Sequence, residues 1–153
     1  MFEARWSFGK ENFSRVRDMR LQCFVNKQGI SAKEEFDKFD GISAHLFVED
    51  ETGAPIATGR IFPHGEETRI GRIAVAEGYE GKGYGDLVLR MLLYKAEALM
   101  GAAVATEPRL EDARLFEPFG FIAQGEPFFK RSAMRVLMRV QRDAILWPSQ
   151  CKD

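Results

Sequence analysis

The run from Ile73 to Leu99 limits what this chain can fold into more than any other stretch. Ile73-Ala74-Val75 is apolar, Ala76 to Tyr84 is a loop rich in glycine, and Asp86 to Leu99 sets Leu87, Val88, Met91, Leu92 and Ala96 along one helical face. Gly101 is a helix stop, and Ala102 to Thr106 is a second apolar strand. Strand, loop, helix and strand in this order predict a parallel crossover, because parallel neighbours need a long connection that is usually helical. The loop also has chemical content. Glycines let the backbone turn sharply and come close to a ligand. A helix start offers unpaired amides and the positive end of the helix dipole. Together they suit phosphate groups, and Lys82 can add a side-chain charge. The alternative is a glycine-rich turn that serves packing alone.

Shorter elements surround this unit. Phe2 to Ser7 reads as a strand, and apolar residues from Phe13 to Phe24 recur at helical spacing, predicting a helix over Glu11 to Phe24. Ser31 and Glu34 have the spacing of a capping box, so a short helix follows from Ala32 to about Phe36. Ala44 to Val48, Ile56 to Phe62 and Thr68 to Val75 read as strands joined by the turns Asp50-Glu51-Thr52-Gly53 and His64-Gly65-Glu66-Glu67, an antiparallel meander. Leu110 to Phe116 reads as a short helix, with closing strands from Phe121 onward and over Met134 to Val140. At 153 residues one domain, 1–153, is expected. The fold class is α/β (α+β), with a mixed, mostly antiparallel sheet splayed near Val75 and Ala102.

The net charge of -1 argues against general attraction to nucleic acid or an anionic membrane. Lys130, Arg131, Arg135, Arg139 and Arg142 read as solvated faces rather than a basic patch. The apolar stretch Leu87 to Ala105 is broken by Arg90, Lys95 and Glu97, so it is no membrane span. Cys23 and Cys151 form no Cys-x-x-Cys pattern, so neither a metal site nor a disulfide is expected. Cys23 is expected in the core and Cys151 as an exposed thiol. The N-terminus carries no signal pattern, and a reduced cytoplasmic setting fits.

Other phosphate loops fail on residue identity. A Walker A loop needs Ser or Thr after Gly-Lys, and here Gly83 follows Lys82; a dinucleotide fingerprint from Gly81 needs a small residue where Asp86 stands. Glu80-Gly81-Lys82-Gly83-Tyr84-Gly85 instead resembles motif A of the GNAT superfamily, with Gly83 and Gly85 at its two small positions and Glu80 where Gln or Arg is usual. The resemblance runs from about Arg17 to Met138. Arg20 to Val25, Gln28-Gly29-Ile30-Ser31, Glu35-Phe36-Asp37 with Asp40, His45-Leu46, Pro55 to Ile61 and Ile70 to Val75 are similar to the ElaA/YjcF-like branch. It implies an N-acetyltransferase using acetyl-CoA as cosubstrate and acting on a small-molecule or peptide amine. It also implies that the Ile73, Ala74 and Val75 strand meets the pantetheine arm, that Glu80 to Gly85 hold the pyrophosphate, and that Phe116 stands where a general-acid tyrosine is common. Glu107 replaces a common Gln, and Met134-Arg135 a common Pro-His. A catalytically weak acyl-CoA-binding or sensing protein is the alternative. A homodimer is left open.

Single residues carry further expectations. Glu107 follows a parallel strand, where it can act as a base, bind a cation or be solvated. His45 can transfer protons or make a structural hydrogen bond. Glu34, Glu35, Asp37 and Asp40 can draw in an ammonium group, although capping and solvated surface is the preferred reading. Arg60 and Arg72 lie in apolar strands and require anions, with an internal Asp or Glu preferred over a substrate carboxylate.

Overall fold

The computed structural model describes residues 1–149, so Cys151 lies outside the described residues. Seven strands form one sheet: β1 (Phe2–Phe8), β2 (Ala44–Asp50), β3 (Pro55–His64), β4 (Glu67–Val75), β5 (Ala103–Thr106), β6 (Ile122–Lys130) and β7 (Ala133–Gln141). Their order is β1-β2-β3-β4-β5-β7-β6, antiparallel throughout except for β4 and β5. The meander forms as the turn chemistry predicts. Asp50 Oδ1 accepts the amides of Thr52 and Ala54, and Gly53 takes a positive φ of 89°.

Helix α3 (Tyr84–Leu99) makes the crossover and buries Val88, Leu89, Leu92, Leu93 and Ala96 on one face of the sheet. Its close seat depends on Gly59. A Cβ there would lie 2.7 Å from Val88 Cγ1 and 3.1 Å from Leu92 Cδ1. Gly59→Val is therefore expected to lower stability by about 1–3 kcal/mol through overpacking, read as a fall in the urea midpoint. An unchanged midpoint would show that α3 does not press on β3.

The opposite face carries α1 (Ser14–Arg20), a π-helical turn (Leu21–Asn26) and α2 (Ala32–Glu35). The sequence predicts one continuous helix from Glu11 to Phe24, and the structure departs from it at both ends. Asn12 adopts a positive φ of 51°, which delays the helix to Ser14. Beyond Arg20 the bonding changes, and the Lys27 amide donates to the Gln22 carbonyl at 3.1 Å. Bonds of i to i+5 spread more residues over each turn. Phe24 is thus buried with Ile30 and Ala74, while Cys23 is only half-buried and packs between that group and Val16 and Met19.

A second irregularity lies in β4. Pairing with β3 shifts between Thr58 and Arg60, and Arg72 sits at φ 53°. This is a bulge, which adds one residue and reverses the side-chain alternation beyond it. Ile70 faces α3 as expected, and so do Ile73 and Val75, while Ala74 joins Phe24 and Ile30 on the other face.

The parallel pairing of β4 with β5 is short, Thr68 with Val104 and Arg69 with Ala105. Past Arg69 the two strands part. The sequence expectation put one side of this opening near Ala102, but Ala102 marks the closed end, its amide donating to Glu66 at 2.8 Å. The opening begins beyond Ala105 because parallel strands advance together and separate at their carboxyl ends. Among the described residues no helix is long and apolar enough to cross a membrane.

Candidate active site

The parting of β4 and β5 opens a cleft of about 1180 Å³. One wall is β4 from Arg69 to Val75, the other is Thr106 and Glu107 at the end of β5, and the π-helical turn covers it with Cys23 and Phe24. Of the residues singled out in the sequence, Ile73, Ala74, Val75, Glu80, Gly85, Glu107 and Phe116 line this cleft. Gly81, Lys82, Gly83 and Tyr84 flank it at the start of α3 without lining it.

The glycine loop has the backbone its composition predicts. Gly81 and Gly83 lie at φ 73° and 85°, and Gly83 caps α3 with its carbonyl accepting the Leu87 amide at 3.0 Å. Among the described residues, the amides from Gly81 to Asp86 donate to no backbone carbonyl or side chain of the protein. They are the free donors of a helix start. A Cβ at Gly83 would meet nothing within 4 Å, so the loop leaves open space above these amides. The side chains are engaged elsewhere. Glu80 pairs with Lys27 at 3.3 Å, Lys82 Nζ stands 5.8 Å from the Tyr79 ring centroid, and Tyr84 packs edge-on against Phe2 and Tyr79.

Glu107 Oε1 accepts Lys130 Nζ at 2.8 Å, and Arg69 lies 3.8 Å from its other oxygen. Phe116 is buried and meets Phe121 edge-on. Among the described residues no tyrosine lines the cleft. Tyr79 donates its hydroxyl to Asp50 at 2.9 Å, and Tyr94 stacks on Trp147. His45 is wholly buried, outside the cleft lining, with Nε2 3.1 Å from the Asp40 carbonyl and its ring against Phe13. Burial pushes its imidazole below its ordinary value, against the pull of that carbonyl. The position is the structural hydrogen bond weighed for it in the sequence, not one that reaches a substrate in the cleft.

Glu34 stays exposed in the capping box with Ser31 and Asp37 Oδ1 caps the Phe39 amide, as expected, but Glu35, Asp37 and Asp40 are not the solvated surface the sequence suggested. Arg20, Arg60, Arg72 and Arg131 converge on Glu35, Asp37 and Asp40. Glu35 is 0% exposed and takes Arg20 Nε at 2.7 Å, Arg72 Nε at 3.1 Å and Arg131 Nη2. Arg60 bridges Asp37 and Asp40 at 2.7 and 2.8 Å. Burial raises the Asp37 carboxyl, but the Arg60 hydrogen bond and the charges of Arg60 and Arg72 more than reverse this and hold it at about 2. Arg60 and Arg72 thus have the internal partners preferred for them. Arg72 is lowered to about 9, first by burial and then by Arg60 and Arg131. Of the five basic residues read as solvated, Arg131 and Arg135 are buried. Arg135 is a cleft residue whose burial sequence reasoning missed, as it missed Arg69, Arg109 and Asp112 in the lining. The one signal for Arg135 was that Met134 to Val140, a strand of apolar residues, is interrupted by Arg135 and Arg139.

A loop of free amides at one end of a splayed sheet can hold a phosphorylated carrier and lay its arm along the open edge of β4. Comparison with known proteins bears on the family and the fold. The acetyltransferase (GNAT) family pattern matches residues 13–121. The uncharacterized N-acetyltransferase YjcF of Bacillus subtilis is 29% identical over 123 residues, spanning 78% of this chain and 75% of YjcF. An acyl-CoA N-acyltransferase structure from Pseudomonas aeruginosa shares the fold with a TM-score of 0.81 at 21% identity, covering 91% of this chain and 99% of that one. Escherichia coli ElaA shares it at 0.80 and 19%, again over 91% and 99%. The chain belongs to the GNAT acetyltransferase family, in the company of YjcF and ElaA.

Proposed function

We propose that this protein is an acetyl-CoA-dependent N-acyltransferase that moves an acetyl group directly onto the amine of a small molecule or peptide. The observation that carries the reading is the open edge of β4 beyond Arg69, running toward the free amides of Gly81 to Asp86. Those amides hold the pyrophosphate. The Ile73 to Val75 backbone pairs with the pantetheine arm and polarises the thioester carbonyl, an oxyanion-hole role. The amine nitrogen forms the new C–N bond as the C–S bond breaks; one proton leaves the nitrogen and one reaches the sulfur. Glu107 takes the proton from nitrogen. Phe116 cannot donate one to sulfur, but a thiol of pKa about 8.5 leaves tolerably as the thiolate. A cytoplasmic setting suits the free thiol of Cys23.

A second reading, an acyl-CoA sensor with little turnover, is favoured by the absence of any tyrosine from the cleft lining. Free-thiol release from acetyl-CoA, followed against pH with a panel of amines, separates the two. Acceptor-dependent release that climbs toward alkaline pH, as the amine loses its proton, supports the enzyme. Firm acetyl-CoA binding with no acceptor-dependent release supports the sensor. Glu107→Gln is expected to lower kcat about tenfold, below the usual 10²–10⁴ for a general base because its charge is shared with Lys130, and to leave acetyl-CoA affinity unchanged. An unaltered kcat would remove Glu107 from the mechanism.

A further inference from the structure

Charge is distributed unevenly in this molecule. The whole chain carries -1, yet nine lysine and arginine side chains line the cleft against six aspartates and glutamates. Counting the buried Arg20, Glu35 and Asp40 behind the wall still leaves an excess of two cations. Near the glycine loop Lys27 is balanced by Glu80. Across the splay, Arg131 at the β6–β7 turn shares Glu35 with Arg20 and Arg72, and Arg135 on β7 has no carboxylate of its own.

Arg135 is 5% exposed and makes no ion pair among the described residues. Its guanidinium is held by carbonyls alone: Nε donates to Lys130 at 2.7 Å, Nη1 to Glu107 at 3.2 Å and Nη2 to Arg131 at 3.2 Å. Those bonds fix its plane without neutralising it. The nearby carboxylates have their own cations, Glu107 with Lys130 and Asp112 with Arg109. Arg131 Nε, also buried, has no partner. Burial, Arg131 and Arg109 together lower Arg135 to about 10. A buried charge without a counter-ion is costly, and an anion placed there removes that cost. Three of the four acidic residues that might have drawn in a bare amine, Glu35, Asp37 and Asp40, are already consumed by arginines.

We propose that the acceptor half of the cleft binds a carboxylate, with Arg135 as its anchor beside Arg131, so that the acceptor is an amine that also carries a carboxyl group. The free amino acids and peptides with a nearby C-terminus are the chemical class. This rests on the acyltransferase reading and narrows it. Guanidinium and carboxylate match as planar forks, so the pair orients the amine as well as holding it.

The test compares free amino acids with their C-terminal amides, at saturating acetyl-CoA, by thiol release. The acids are expected to exceed the amides at least tenfold in kcat/KM, mainly through KM. Arg135→Gln is expected to erase that difference without altering acetyl-CoA affinity. Amides equal to or better than acids in the native protein would overturn the proposal, as would a preference that survives in Arg135→Gln. Calorimetric titration of N-acetyl amino acids and N-acetyl amino amides into the native protein with free CoA reads the subsite without turnover. A tenfold tighter acid in that titration supports the carboxylate site even if no amine is acetylated, in which case the acyltransferase reading alone fails. Equal affinities reject the site. The native comparison stands even if Arg135→Gln does not fold.

Discussion

Glu35→Ala is expected to lower the stability of this protein by about 3–5 kcal/mol, close to the whole margin of a small domain. The carboxylate is fully buried and receives three guanidinium groups, from Arg20, Arg72 and Arg131. Removing it leaves those charges facing one another in a region where Arg60 already repels them. Urea unfolding at pH 7 reads the effect, and a loss below about 1 kcal/mol would mean that water reaches the cluster. Acid supplies an independent check on the same group of residues. Asp37 is held at about 2 in the folded protein against 3.8 for an ordinary aspartate. A lowered folded value contributes stability above the unfolded value and loses it as pH falls through the folded one. Its share, about 2 kcal/mol, is therefore complete above pH about 5 and gone below pH about 2. Asp37→Asn is expected to flatten the unfolding free energy across that window.

Gly83→Val is expected to weaken acetyl-CoA binding at least about a thousandfold, or about 4 kcal/mol, beyond detection by calorimetry. Two causes act together. At φ 85° a β-branched residue is strained, and its side chain would enter the open space above the free amides. Strain by itself can be separated from obstruction, because Gly65 lies at φ 62° in the β3–β4 turn, also with nothing within 4 Å of a Cβ. Gly65→Val is expected to lower the melting temperature to a similar degree and leave binding intact. Lys82→Ala is expected to cost only about 0.5–1 kcal/mol, since its ammonium is exposed to solvent. Normal binding by Gly83→Val would show that the loop is not the phosphate site.

The strand, glycine loop, helix and strand were legible because each is written in local residues: apolar runs, positive-φ glycines and one helical face. The meander was legible through its turn at Asp50. What escaped was set by partners distant in sequence. Glu35 and Arg131 are 96 positions apart, so each reads as an isolated surface charge until the fold joins them. The π-helical turn lies between Arg20, bound by Glu35 and Asp40, and Phe24, beneath Arg131, contacts that no helical periodicity records. The bulge at Arg72 is a non-glycine residue in a left-handed conformation, and its side chain gives no sign of that in the sequence. Glu107 was found as a candidate from its place after β5, but its pairing with Lys130 comes from the closing hairpin and could not be read locally.

The short seam between β4 and β5 divides the sheet into two leaves, and the leaves are bound differently on their two sides. On the α3 side they share one continuous core, in which Ile70 and Val104 join Val136 and Met138. On the other side Arg131, at the turn of the far leaf, reaches Glu35 on α2 over the near one. The first is a spine and the second a clasp, standing on opposite sides of the same joint. The clasp is ionic, and the spine is close-packed apolar contact. The tie between the leaves can thus be altered at Arg131, at the hairpin tip, without repacking the core.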